Sequence, residues 1–195
     1  RAKKMLVSNY YTDYYDMYYD GLADRYIYLF YDAEESFRLR TIMWIDANTH
    51  RDYPKLVTSK EQNHLLYTLT QVERVNRGLR PYEYDEKLEE IAQAHSEDMA
   101  EHEFFGHVSS DGRKVEERYA KAKLPTSTLR ENVGMNEFGT LFAHEMLMNS
   151  SGHRASKLAE NVTHIGVGTV ARINNKVGGL PFMYVTENYI RYEEE

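Results

Sequence analysis

The stretch His164-Ile165-Gly166-Val167-Gly168-Thr169-Val170, taken with Phe182 to Ile190 further on, decides the fold class. Both runs are rich in β-branched, aromatic and small residues, and Asn174-Asn175 supplies a turn region between them, so they read as two strands. Gly166 and Gly168 are expected to let the first strand pass close under its neighbours. What precedes these strands is helical. Ser59-Lys60-Glu61-Gln62 has the form of a capping box, whose side chains satisfy the free N–H groups of a first turn. Leu65, Leu66, Leu69, Val72 and Val75 follow at three-and-four spacing as far as Gly78, which suits a left-handed cap, so this stripe is expected to face inward. A second helix opens near Asp85 with Leu88, Ile91, Ala92, His95 and Met99 on one face. A shorter third opens at Asp111-Gly112-Arg113, and Thr140 to Asn149 reads as a fourth. A run of helices followed by strands argues α+β.

The N-terminal quarter has a different composition. Ten of the 17 tyrosines fall within the first 53 residues, which places a domain boundary between Asp46 and Ser59 and divides the chain into a β-rich segment, 1–53, and a main domain, 59–192. Arg25 to Asp32 and Phe37 to Asp46, on either side of a polar turn, read as a β-hairpin. Two strands alone are marginal in water, so the hairpin is expected to be the remnant of a truncated accessory domain, needing either further strands lost upstream or a surface on the main domain to cover it.

At 195 residues, 42% hydrophobic and 28% charged, the chain can bury one good core and an accessory piece. Its formal charge of −7, with no basic stripe, argues against nucleic acid and anionic membrane as partners. The longest apolar runs, Tyr26 to Tyr31 and Thr41 to Ile45, fall far short of the ~20 residues of a membrane helix. No signal stretch opens the chain, so the expectation is either a cytosolic protein or one whose export signal is missing. The absence of cysteine removes disulfides, thiolate-bound zinc and thiol nucleophiles together.

The side chains that could carry chemistry are His95, His102, His107, His144, His153 and His164, with Glu131, Glu145, Ser150 and Ser151. His95 and His102 lie seven residues apart on a helix, ~10.5 Å along its axis, too far to share a metal. His95 sits on the apolar stripe, as a hydrogen-bonded core histidine would. His144-Glu145 begins like a zinc-protease helix, but Met148 stands where the second histidine is required. No Gly-x-Ser-x-Gly elbow occurs, and Ser150-Ser151 reads as the N-cap of a short helix. There remain His107, just past the second helix; Glu131, beside Asn132 and Gly134; and His153, at a helix start. Two histidines from separate segments can bind one zinc ion and leave positions for water, with a carboxylate nearby as ligand or general base. The same groups can equally hydrogen-bond one another and hold loops without any turnover.

Six segments occur in the order found in bacterial CAP domains: His95-Ser96-Glu97-Asp98-Met99, Phe104-Phe105-Gly106-His107, Asp111-Gly112-Arg113, Glu131-Asn132-Val133-Gly134, Asn149-Ser150-Ser151-Gly152-His153-Arg154 and His164-Ile165-Gly166-Val167-Gly168. The stretch from Leu65 to Tyr189 therefore resembles the CAP superfamily of cysteine-rich secretory, antigen 5 and pathogenesis-related proteins, in its Gram-positive form. Tyr26 to Ile45 looks like the end of an N-terminal CAP-associated domain, a looser match. The resemblance implies a three-layer α-β-α sandwich and an extracellular or cell-wall location. It also implies an open cleft in which His107, Glu131 and His153 are the family's site residues, with His107 and His153 as ligands of a divalent metal such as zinc. The ligand of such a cleft would be a small molecule, peptide, glycan or lipid. A metal-assisted hydrolase with Glu131 as base, and a non-catalytic interaction module, are the alternatives. The family's usual second glutamate falls at Ser150, and Glu145, about a turn and a half earlier, is the candidate to stand in for it.

Overall fold

A computed structural model describes residues 3–5, 14–47, 59–177 and 180–193. Strand β8 (Leu180–Tyr192) is the spine of the molecule. It runs antiparallel between β7 (His164–Asn174) and β6 (Thr126–Asn136), and the short β5 (Glu83–Tyr84) adds parallel to β7. Alternation along β8 sends Met183, Val185 and Tyr189 to one face and Phe182, Tyr184 and Ile190 to the other, and all six are buried, so the sheet is covered on both sides. The first face takes α1 (Ser59–Asn76), α4 (Thr140–Met148) and α5 (Ser151–Lys157), with Leu66 and Ala143 in its core. The second takes α2 (Glu86–Glu101) and α3 (Val115–Ala122) through Leu88, Met99 and Tyr119. This is the α-β-α sandwich expected above.

The two glycines of β7 bring α2 close to the sheet. A Cβ on Gly166 would lie 2.2 Å from the carbonyl carbon of Leu88, and one on Gly168 would lie 2.2 Å from that of Ala92. The close neighbour is helix backbone, and Ser96 fixes the approach by donating to the Gly168 carbonyl at 2.9 Å.

Two sequence expectations need correction. The apolar stripe of α1 does not face inward as a whole: Leu65, Val72 and Val75 are 42%, 49% and 57% exposed, and the buried positions are Gln62, Asn63, Leu66, Thr70 and Arg74. Their polar groups find buried partners: Gln62 accepts from Thr140, Asn63 accepts from Thr169 at 2.8 Å, and Arg74 donates to the carbonyls of Lys157 and Ala159 at 3.1 and 2.9 Å. A buried face built from satisfied polar side chains looks like a solvent face to any count of apolar residues. The third helix begins at Val115, four residues later than expected. Asp111-Gly112 forms a turn instead, closed by the Gly112 N–H on the Ser109 carbonyl, and the Glu117 carboxylate accepts from the Lys114 N–H at 2.7 Å where the helix starts. The second helix starts as its sequence requires, with Asp85 accepting from the N–H groups of Lys87 and Leu88.

The N-terminal residues form a second sheet of β1 (Lys3–Met5), β2 (Tyr15–Asp20), β3 (Arg25–Tyr31) and β4 (Leu39–Asp46), antiparallel and in that order. The β3–β4 hairpin was legible. Its cover is supplied both by two further strands and by α4: Tyr15, Tyr28, Phe30 and Met43 pack on Phe138 and Phe142, with ring centroids 4.8 to 6.0 Å apart where they meet. The boundary placed between Asp46 and Ser59 falls almost entirely outside the described residues. A β-bulge marks the contact edge, since Tyr31 pairs with Leu39 but Phe30 pairs with Thr41, leaving Arg40 as the extra residue. Its guanidinium reaches Glu145 at 2.9 Å, Glu73 at 2.5 Å and Asp32 at 3.2 Å, while Arg154 holds Asp32 at 3.0 Å and also pairs with Glu35.

Removal of residues 1–47 would bare Phe138 and Phe142, each burial being worth about 1.5–3 kcal/mol, and leave Glu145 without its cation. Against a total stability of about 5–15 kcal/mol, the truncated chain is expected to aggregate and to show no cooperative thermal transition. Size-exclusion chromatography and a thermal melt check this; a monomer with the parent melting temperature would show that the second sheet is dispensable.

Candidate functional site

Adjacent residues of β6 point to opposite faces of the main sheet, and each holds one of the two site histidines. Glu131 faces the α2–α3 layer with its side chain only 2% exposed. One oxygen accepts from His107 Nδ1 at 2.9 Å and the other from Arg118 Nη2 at 2.5 Å. Arg118, on α3, also donates to the His107 carbonyl at 2.8 Å and to Ser109 Oγ at 3.2 Å, so one guanidinium fixes both the loop and the carboxylate. The loop is pinned from below by His95, whose Nε2 lies 2.9 Å from the Gly106 carbonyl. His95 is thus the hydrogen-bonded core histidine the sequence suggested, and burial pushes its pKa down. The hydrogen bond to Glu131 outweighs burial at His107 and raises its pKa above 6.5.

Asn132 faces the other layer. Its Nδ2 donates to the His153 carbonyl at 3.0 Å and to Glu187 at 3.1 Å. His153 lies in the first turn of α5 with Nδ1 2.8 Å from Ser150 Oγ, so the Ser150 hydroxyl serves the histidine and caps no backbone N–H. Burial lowers the pKa of His153, and the charge of nearby His107 adds to that effect. The structure therefore joins His107 to Glu131 and sets His153 near enough for the His107 charge to act on it. It does not bring in Glu145, which is turned toward the second sheet and engaged by Arg40 and Thr41. His144 is buried beside Glu73, with Nε2 3.6 Å from that carboxylate. His102 pairs with Asp98 and His164 with Glu83.

Sequence reasoning missed the ion pair beneath the site. Lys157 and Glu187 are both 0% exposed and in direct contact. Lys157 also donates to Thr70 at 2.9 Å, and Tyr189 donates to Glu187 at 2.6 Å. Burial alone would raise the Glu187 carboxyl, but the Lys157 charge and the hydrogen bonds from Lys157, Tyr189 and Asn132 hold it below its usual value. The signal was available: Glu187 occupies the face on which Met183, Val185 and Tyr189 alternate, and a carboxylate in that position must find a buried partner.

Each site histidine has Nδ1 held by an oxygen while Nε2 takes no hydrogen bond among the described residues, and partners of this kind fix the orientation of metal-binding imidazoles. Among the described residues, no group of three or more His, Cys, Asp or Glu side chains is placed to hold a metal ion. Glu131, with both oxygens engaged, supports His107 from behind. The groups that could ligate a metal here are thus two imidazole nitrogens, and the remaining positions would fall to solvent or ligand.

No helix among the described residues is long and apolar enough to cross a membrane. The chain is 33% identical over 145 residues to a Bacillus subtilis protein named uncharacterized membrane protein YlbC, an alignment covering 74% of this chain and 38% of that protein. It therefore spans well under half the length of this relative. Its fold is similar to that of an extracellular protein containing an SCP domain from Bacillus anthracis, with a TM-score of 0.74 at 21% identity over 97% of this chain and 67% of that one. It is also similar to that of a cysteine-rich secretory protein from Staphylococcus aureus, with a TM-score of 0.63 at 19% identity over 97% and 66%. At these identities the solved structures establish the fold. The model of the cysteine-rich secretory protein family matches residues 67–189, which is more than half of the chain and takes in His107, Glu131 and His153; the chain belongs to the CAP family.

Proposed function

We propose that this chain is an extracellular binding module in which Nε2 of His107 and Nε2 of His153 hold a divalent cation such as zinc, beside a cleft that takes a small molecule, peptide, glycan or lipid. The observation that carries the reading is the paired tethering of Nδ1, on Glu131 in one case and Ser150 in the other, which leaves both Nε2 atoms without a hydrogen bond among the described residues. A cation bound there would supply a Lewis acid able to polarise a ligand oxygen. Glu131 keeps His107 in the tautomer whose Nε2 carries the lone pair, and Arg118 holds the Glu131 carboxylate in place. Because both Glu131 oxygens are engaged, the residues support binding better than hydrolysis, for which a free carboxylate base is needed. The extracellular reading is supported by the descriptions of the B. anthracis and S. aureus proteins.

Zinc titration by calorimetry on chelator-stripped protein tests the site. The parent chain is expected to bind one equivalent, and His107→Ala/His153→Ala none. Glu131→Gln should weaken binding about 10–100-fold through the lost orienting partner. A stoichiometric site retained in the double variant would overturn the assignment.

A further inference from the structure

A cavity of about 360 Å³ opens where the loop after α1, the loop before β7 and the end of β8 meet. It shares no lining residue with the histidine site. Its walls carry three guanidinium groups, Arg74, Arg80 and Arg191, against two carboxylates, Glu83 and Glu160, in a chain whose overall charge is −7. Arg130 lies close by, since its charge acts on the ring hydroxyl of Tyr82 in the same wall.

The three arginines are not equally engaged. Arg74 is 2% exposed and belongs to the framework, donating to the carbonyls of Arg80, Lys157 and Ala159 with its guanidinium 3.5 Å from the centroid of the Tyr82 ring. Arg191 holds the backbone of Asn161 at 3.1 Å and of Glu160 at 3.4 Å through Nε and Nη2, which leaves Nη1. The side chain of Arg80 makes no hydrogen bond or ion pair among the described residues, while its backbone is fixed by Arg74. Of the two acids, Glu83 is directed to His164, 3.5 Å away. The cavity thus combines a rigid, buried cationic floor with a free planar fork at its mouth.

Guanidinium forks match the geometry of oxyanions, and phosphate above all. We propose that this cavity binds a phosphate group, carried on a small soluble ester or on a lipid headgroup, with Arg80 as its main contact and Arg191 and Arg74 as the positive surround. The volume accommodates a phosphate together with a substituent of about the size of glycerol.

Calorimetric titration of the full chain with inorganic phosphate, and then with glycerol phosphate, tests this. Saturable binding in the millimolar range or tighter is expected, weakened at least 10-fold in Arg80→Gln, less so in Arg80→Lys, and unchanged in His107→Ala/His153→Ala. Arg80 is exposed, so the variants should melt with the parent chain. Co-sedimentation with phosphatidylglycerol vesicles that is lost in Arg80→Gln would identify the headgroup as the source, and binding of the soluble ester without co-sedimentation would identify the free form. Phosphate binding that is absent, or that is the same in Arg80→Gln as in the parent, overturns the proposal.

Discussion

Gly168→Ala is expected to lower stability by about 3 kcal/mol or more, a large share of the total. The added methyl would meet Ala92 C and Gln93 N at 2.2 Å, and both are backbone atoms in the middle of α2. Neither side can yield locally. Strand β7 is paired on β8 along its whole length, and α2 is anchored by Leu88, Ala92 and Met99, all fully buried. Overpacking a core that can adjust costs about 1–3 kcal/mol; here the helix would have to lift off the sheet, taking the Ser96 hydrogen bonds to Gly168 and Thr186 with it. The same substitution at Gly152, in α5, meets nothing within 4 Å and should be neutral or stabilising by up to about 1 kcal/mol, as alanine is in a helix. Urea midpoints of the two variants give the comparison directly. Equal midpoints would mean that the approach of α2 to the sheet is not close.

Lys157→Met should cost about 3–5 kcal/mol, because it leaves the Glu187 carboxylate fully buried without its cation. Adding Glu187→Leu to that variant should recover most of the loss, since an apolar pair in that space leaves no uncompensated charge. The diagnostic is the coupling between the two sites in a double-mutant cycle. Additive losses would show that the pair is not coupled. The pH dependence has a definite sign. A carboxylate held below its usual value contributes stability that is present above the unfolded pKa, near 4.5 for Glu187, and that disappears as pH falls through the lower, folded value. Asp32 and Glu73, held down by Arg154, Arg40 and His144 despite burial, add to the same trend. The parent chain should therefore lose stability progressively below about pH 4.5, and the Met/Leu double variant should lose less over that range.

The parts of the fold legible in the sequence were those written in apolar periodicity. The two long strands, helices α2 and α4, and the β3–β4 hairpin could all be read. Strand β2 was missed although Tyr15, Met17 and Tyr19 alternate with Asp16 and Asp20, because its tyrosines blur the contrast between its two faces. Helix α1 was found but turned the wrong way. Its buried face is polar, and only the tertiary partners of Gln62, Asn63, Thr70 and Arg74 reveal that it is buried. The candidate site residues His107, Glu131 and His153 were named through ordered motifs. Their outer partners were not, because Arg118 reaches Glu131 across 13 residues of sequence and Ser150 reads as a helix cap; only Glu187, which holds Asn132 beside them, interrupts a visible pattern.

The alternation of Glu131 and Asn132 has a consequence for how the two histidines keep their spacing. His107 belongs to a loop of one helical layer and His153 to a helix of the other, so the two layers could in principle drift apart. Both are nevertheless gauged from consecutive residues of one strand, through the His107 ring in one case and the His153 carbonyl in the other. That strand is zipped to β8 from Thr126 to Asn136. The sheet acts as a ruler one residue long, and helices on either side can change their outer surfaces without altering the distance it sets.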